Sequence, residues 1–135
     1  MQRIKHFLAV IFTLAIAVPG MAALTPLRYA EAAAKAQYVD RVNAIVRIMT
    51  KASGRAQTMT IPVEHAVEFE KLEILVRACK STMPFDARDN FMFVEVAKKF
   101  AVESKRIFSG WMTASEPGDN PLQDADYDLW LVSCE

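Results

Sequence analysis

The chain is 135 residues long, 53% apolar and 10% aromatic, with sixteen basic and sixteen acidic residues. That length holds one ordinary domain with enough apolar material for a real core. The cancelling charges exclude the basic field that nucleic acid or anionic lipid would need, so no nucleic-acid partner is expected.

Residues 1–6 carry Arg3, Lys5 and His6 and no acid, and Phe7 to Val18 is an apolar run interrupted only by Thr13. Pro19-Gly20 ends the run, and the small residues Gly20 and Ala22 precede a cut before Ala23. This tripartite pattern predicts a secretory signal peptide over residues 1–22. The alternative, an uncut membrane anchor, would take about 20 apolar residues to span the bilayer, and this run is too short. Removing it takes away Arg3 and Lys5, which leaves 14 basic and 16 acidic residues.

Residues 23–43 are rich in Ala and include Glu31-Ala-Ala-Ala-Lys35, with opposite charges at i and i+4. The composition predicts a flexible or loosely helical spacer without a wide apolar face. From residue 44 the pattern changes to a period of two, and residues 44–135 read as a β domain. Ala44, Val46 and Ile48 alternate with Ile45, Arg47 and Met49. Lys51 to Gly54 then forms a turn, and Arg55 to Ile61 runs back until Pro62 ends the ladder.

Phe69 to Cys79 has the plainest strand pattern, with Leu72, Ile74, Val76 and Ala78 on one face and Glu73, Leu75, Arg77 and Cys79 on the other. Lys80 to Asn90 is a loop, Phe91 to Val96 a strand, and Arg106 to Met112 another. An acidic loop, Glu116 to Asp126, leads to a last strand from Tyr127 to Cys134. About six short strands at this spacing predict an all-β fold, a small antiparallel β-sandwich or barrel-like domain.

Cys79 and Cys134 each end a predicted strand. In an exported chain of this size, two cysteines outside any C-x-x-C pair, with no clustered His, predict a structural disulfide. It would close a loop of about 56 residues, worth about 4 kcal/mol in the chain-entropy account.

No catalytic set assembles. His65 is the one His after the signal, and none of the serines sits in a nucleophile elbow. Glu73, Glu95 and Asp128 lie on predicted strands without a reason to converge on one sugar. Asp124-Ala-Asp126-Tyr-Asp128 alternates carboxylates as a calcium loop does, but Leu129 occupies the position of the turn Gly. No metal and no cofactor are expected. The aromatics Phe108, Trp111, Tyr127 and Trp130 form a core or a binding surface, because Trp and Tyr serve both. Ser109-Gly110 implies a bulge or a close backbone approach.

Three stretches carry a resemblance: Lys51-x-x-Gly54-Arg55 with Ile61-Pro-Val63 and Phe69-x-x-Leu72-Glu-Ile-x-Val-Arg-Ala-Cys79; then Arg106-Ile-Phe-Ser-Gly-Trp-Met-x-Ala-Ser115; then Tyr127-Asp-Leu-Trp130. Over roughly residues 46–134 the chain resembles the DUF2155 family of proteobacterial envelope proteins. The resemblance implies export to a Gram-negative periplasm, a β-rich domain and no known activity. Members often carry a His shortly before the Tyr-Asp pair, where this chain has Gln123-Asp-Ala-Asp126, so no role passes to that position.

These observations predict an exported, non-enzymatic accessory or binding module of the cell envelope. It would meet an envelope protein or ligand through the Trp111 and Trp130 motifs. The alternatives are a small cell-wall or glycan hydrolase using Glu95 and Asp128, and a purely structural envelope protein.

Overall fold

The computed structural model describes residues 37–135. The expected signal peptide, and the expected spacer as far as residue 36, lie outside them. Eight strands follow in order: β1 Tyr38–Arg41, β2 Asn43–Thr50, β3 Arg55–Pro62, β4 Ala66–Phe69, β5 Leu72–Thr82, β6 Asn90–Lys99, β7 Ser104–Thr113 and β8 Tyr127–Cys134. The fold is all-β, as its period-two pattern predicts.

Two antiparallel sheets make a sandwich. In sheet A the order is β1-β5-β6-β7, and β4 also pairs with β5; in sheet B it is β3-β2-β8. One edge of β5 is shared end to end. β4 covers Leu72–Leu75 and β1 covers Cys79–Thr82. Between them the Val76 carbonyl accepts the Glu64 N–H at 2.7 Å.

The alternating apolar residues meet between the sheets. Ala44, Val46, Ile48 and Ile61 of sheet B are fully buried, as are Leu72, Ile74, Val76, Met92, Val94 and Val96 of sheet A. Each of the Val, Ile, Leu and Met side chains among them contributes about 1.5–3 kcal/mol relative to exposure, which is what holds two otherwise half-wet sheets together.

The domain starts earlier than the expected boundary at residue 44. Tyr38–Arg41 forms a strand, and Tyr38 packs edge-on against Phe91 with ring centroids 5.3 Å apart. The predicted strand from Phe69 to Cys79 runs across a reversal: Phe69 ends β4, the chain turns back at Glu70–Lys71, and β5 begins at Leu72. Glu70 takes a left-handed φ of 49° there, where sequence reading looks for Gly.

Three register shifts re-aim side chains. One falls between Val76 and Ala78 of β5, one at Ile107 of β7 and one at Val132 of β8. A bulge adds one residue and turns all later side chains to the opposite face. Strict alternation had placed Cys79 away from Leu72, Ile74 and Val76; the β5 bulge puts it with them, 1% exposed. Strict alternation along β8 would likewise group Cys134 with Trp130 and Val132. After the β8 bulge it joins Tyr127, Leu129 and Leu131 in the interior.

Cys79 and Cys134 are bonded, with Cα atoms 5.6 Å apart. The disulfide ties the middle strands of sheet A to the edge strand of sheet B. The backbone beside it is also fastened, since Asn43 and Glu135 exchange N–H···O bonds of 2.9 Å.

Candidate functional site

The outer face of sheet A carries an aromatic strip. Val94 and Val96 fill the inner positions of β6, so Phe91 and Phe93 project outward. Register sets Trp111 of β7 opposite Phe93, and their rings meet edge-on at 5.5 Å. Tyr38 reaches the other side of Phe91 from β1. Tyr38, Lys80, Phe91 and Trp111 line an apolar groove of about 320 Å³. Tyr38 and Trp111 are each 45% exposed.

The charges around this strip are paired among themselves. Lys80 holds Asp40, and Arg77 bridges Glu64 at 2.8 Å and Glu95 at 3.1 Å. Arg106 approaches the second oxygen of Glu95. An aromatic centre bordered by self-compensated charge offers apolar area without a net field.

The four aromatics expected to form a core or a binding surface are divided by the fold between the two. Trp111 is on the outer face of sheet A. Phe108 turns inward and packs against the core. Tyr127 is 4% exposed, stacks edge-on with Phe69 at 6.1 Å and donates its hydroxyl to Glu70 at 2.9 Å. Trp130 is half-buried on the outer face of sheet B, where it lines a groove of about 290 Å³ with Pro117, Pro121 and Asp128. The partners of Trp111 are therefore Tyr38, Phe91 and Phe93. Sequence reading missed them because they come from strands that only sheet topology makes neighbours; the alternation of Phe91 and Phe93 was the available signal.

Gly110 is a close approach, the second of the two readings of Ser109-Gly110. A Cβ there would lie 2.9 Å from the Asn120 side-chain nitrogen, which donates to the Trp111 carbonyl at 2.9 Å. The loop before β8 thereby covers the β7 edge beside the strip, while the bulge sits lower, at Ile107.

At the lower end of the sandwich, the acidic loop meets lysines. Lys98 occupies an inner position of β6, and its Nζ reaches both oxygens of Asp124 at 2.9 Å and Asp126 at 2.6 Å. Its ammonium also lies 5.3 Å from the centre of the Tyr127 ring. Hydrogen bonds to Asp124 and Asp126 hold the Lys98 pKa above its ordinary value. Burial pushes Asp124 upward, but bonds from Lys98 and from the Asp126 and Tyr127 N–H groups outweigh it and keep the carboxyl below its usual range. Asp128 pairs with Lys51 at 3.1 Å. The carboxylates that alternate like calcium ligands are thus neutralised by ammonium groups, and no metal-holding cluster occurs among the described residues.

Glu95 and Asp128 do not converge. Glu95 is on the outer face of sheet A and Asp128 on the outer face of sheet B, so the sandwich thickness of about 10 Å separates the two strands and the carboxylates point apart. They cannot flank one glycosidic bond. His65 is exposed in the turn before β4, with Nδ1 3.0 Å from the Val63 carbonyl.

The family model described as an uncharacterised protein conserved in bacteria (DUF2155) matches residues 44–134. No curated protein and no solved structure matches the chain.

Proposed function

The chain belongs to the DUF2155 family, and from that premise we propose that it is an exported accessory module of the cell envelope. The module docks a protein partner through the outer face of sheet A. The carrying observation is the strip Tyr38–Phe91–Phe93–Trp111, which leaves two large aromatics nearly half exposed on a sheet face whose border charges are already paired. Protein interfaces have this anatomy: aromatic anchors at the centre and a polar rim around them. Absence of a net field favours a neutral protein surface over a charged polymer. The signal pattern of residues 1–22 and the buried disulfide support export to the periplasm.

Photo-crosslinking tests this. A crosslinker at position 111 is expected to give one stoichiometric adduct with an envelope protein, competed by the unlabelled chain and lost on Tyr38→Ser. A crosslinker at Thr58 of β3, on the opposite sheet, is expected to give none. Equal labelling from both positions, or an adduct only with wall glycan, would overturn the proposal.

A further inference from the structure

The two ends of the sandwich treat their cations differently. At the lower end Lys98 is saturated by Asp124 and Asp126. The upper end, at the loop between β5 and β6 beside β1, holds a recess of about 280 Å³ whose walls include Arg41, Ser81, Arg88, Asp89 and Asn90. Neither guanidinium forms an ion pair among the described residues.

The acceptors of this recess are already committed. Asp89 Oδ1 takes the Asn90 N–H at 2.8 Å and the Ser115 N–H at 3.1 Å, and its Oδ2 takes the Ser115 hydroxyl at 2.7 Å. Asn90 Oδ1 takes the Ser81 hydroxyl at 2.8 Å and the Cys134 N–H at 3.1 Å. Ser81, 9% exposed, accepts Arg41 Nε at 3.3 Å. The groups without a partner among the described residues are donors: the terminal nitrogens of Arg41, the Arg88 guanidinium and the Asn90 side-chain amide. Among the residues that line the recess, two guanidinium groups stand against one carboxylate.

We infer that this recess is a binding site for a carboxylate group. A planar, singly charged, acceptor-only group matches what remains open, because a guanidinium offers two parallel N–H donors to two carboxylate oxygens. The volume suits a ligand of roughly one amino acid, such as a free small acid or the C-terminal residue of a peptide. The site is separate from the aromatic strip and does not rest on the docking proposal.

The test is a titration of the disulfide-bonded domain, followed by backbone amide resonances, with N-acetylalanine, alanine amide and inorganic phosphate as probes. N-acetylalanine is expected to shift the signals of Ser81 to Asn90 saturably, and alanine amide to leave them unmoved. Arg88→Gln should weaken the response at least tenfold without moving the melting temperature, since that side chain is exposed and has no partner among the described residues. Arg41→Gln should do the same, subject to its bond to Ser81. A peptide with a free C-terminus that binds more tightly than N-acetylalanine identifies the ligand as a chain end, and equal affinity identifies it as a free acid. No saturable shift, tighter binding of phosphate than of the carboxylate, or an undiminished response in Arg88→Gln would each overturn the inference.

Discussion

Cys79 and Cys134 face each other across the two sheets because each follows a register shift in its own strand. Without the β5 bulge Cys79 would project from the outer face of sheet A. Without the β8 bulge Cys134 would project beside Trp130. The covalent link between the sheets therefore depends on two local irregularities as much as on two sulfurs.

Replacing both cysteines, Cys79→Ala with Cys134→Ser, is expected to lower the unfolding free energy by about 4 kcal/mol, from the loop-closure entropy of a sequence separation of 55. Denaturant unfolding with and without reductant measures this. An unchanged midpoint would show that packing alone fastens β8.

Lys98 and Asp124 should couple strongly. Lys98→Met leaves a carboxylate with a 10% exposed side chain without its cation and is expected to cost about 3 kcal/mol or more. Much of that loss should return in Lys98→Met with Asp124→Asn. The exposed pair Lys51–Asp128 should show a coupling below about 1 kcal/mol in the same double-mutant cycle.

The same cluster shapes the pH profile. Asp124 has a folded pKa below its unfolded value, so its stabilisation is present above the ordinary carboxylate range near pH 4 and is lost as pH falls through the folded value. Lys98 is raised by its carboxylate bonds, and Tyr127 is raised by burial and by its bond to Glu70. Their contributions are complete below about pH 10 and are lost as pH rises beyond it. Melting temperature against pH should thus fall at both extremes, and Asp124→Asn should flatten the acid limb and, by removing the largest bond that raises Lys98, soften the alkaline limb as well. An acid limb identical in the variant would remove Asp124 as its source.

Trp111→Ala and Trp130→Ala should differ. Trp111 is 45% exposed, and its loss is expected to change stability by less than about 1 kcal/mol. Trp130 is half-buried under the loop that carries Pro117 and Pro121, and its loss should cost about 2 kcal/mol. Urea unfolding of the two variants decides this; a larger cost at Trp111 would make that residue part of the core.

Gly110→Ala should displace Asn120 from the Trp111 carbonyl. The stability change is expected to stay below about 1 kcal/mol, because the displaced group is the end of an exposed side chain. The freed β7 edge should instead raise concentration-dependent association, read by sedimentation. Unaltered sedimentation would show that Asn120 is not what protects that edge.

Six of the eight strands were legible because β2, β3, β5, β6, β7 and β8 alternate apolar and polar residues between recognisable turns. β1 was hidden in an Ala-rich stretch, where four residues make no periodic signal. β4 was missed apart from Phe69, which was joined to β5 because Glu70 and Lys71 make a reversal without Gly or Pro. The bulges left no mark in the residue pattern, so the faces of Cys79 and Cys134 were misassigned even though their pairing was anticipated. The aromatic strip was half legible for a related reason. Trp111 stood out by its chemistry, whereas Tyr38, Phe91 and Phe93 become its neighbours through pairings distant in sequence. Phe108 and Tyr127 were drawn inward by the same topology.

The bulge in β5 lies where that strand has no continuous neighbour on one side. β4 stops opposite Leu75 and β1 starts opposite Cys79, so only β6 must follow the kink. A single unbroken strand along that flank would have had to bend with it or lose its own ladder. Two short strands laid end to end act as a joint, letting β5 change phase midway, with Leu72–Leu75 set by one neighbour and Cys79–Thr82 by another.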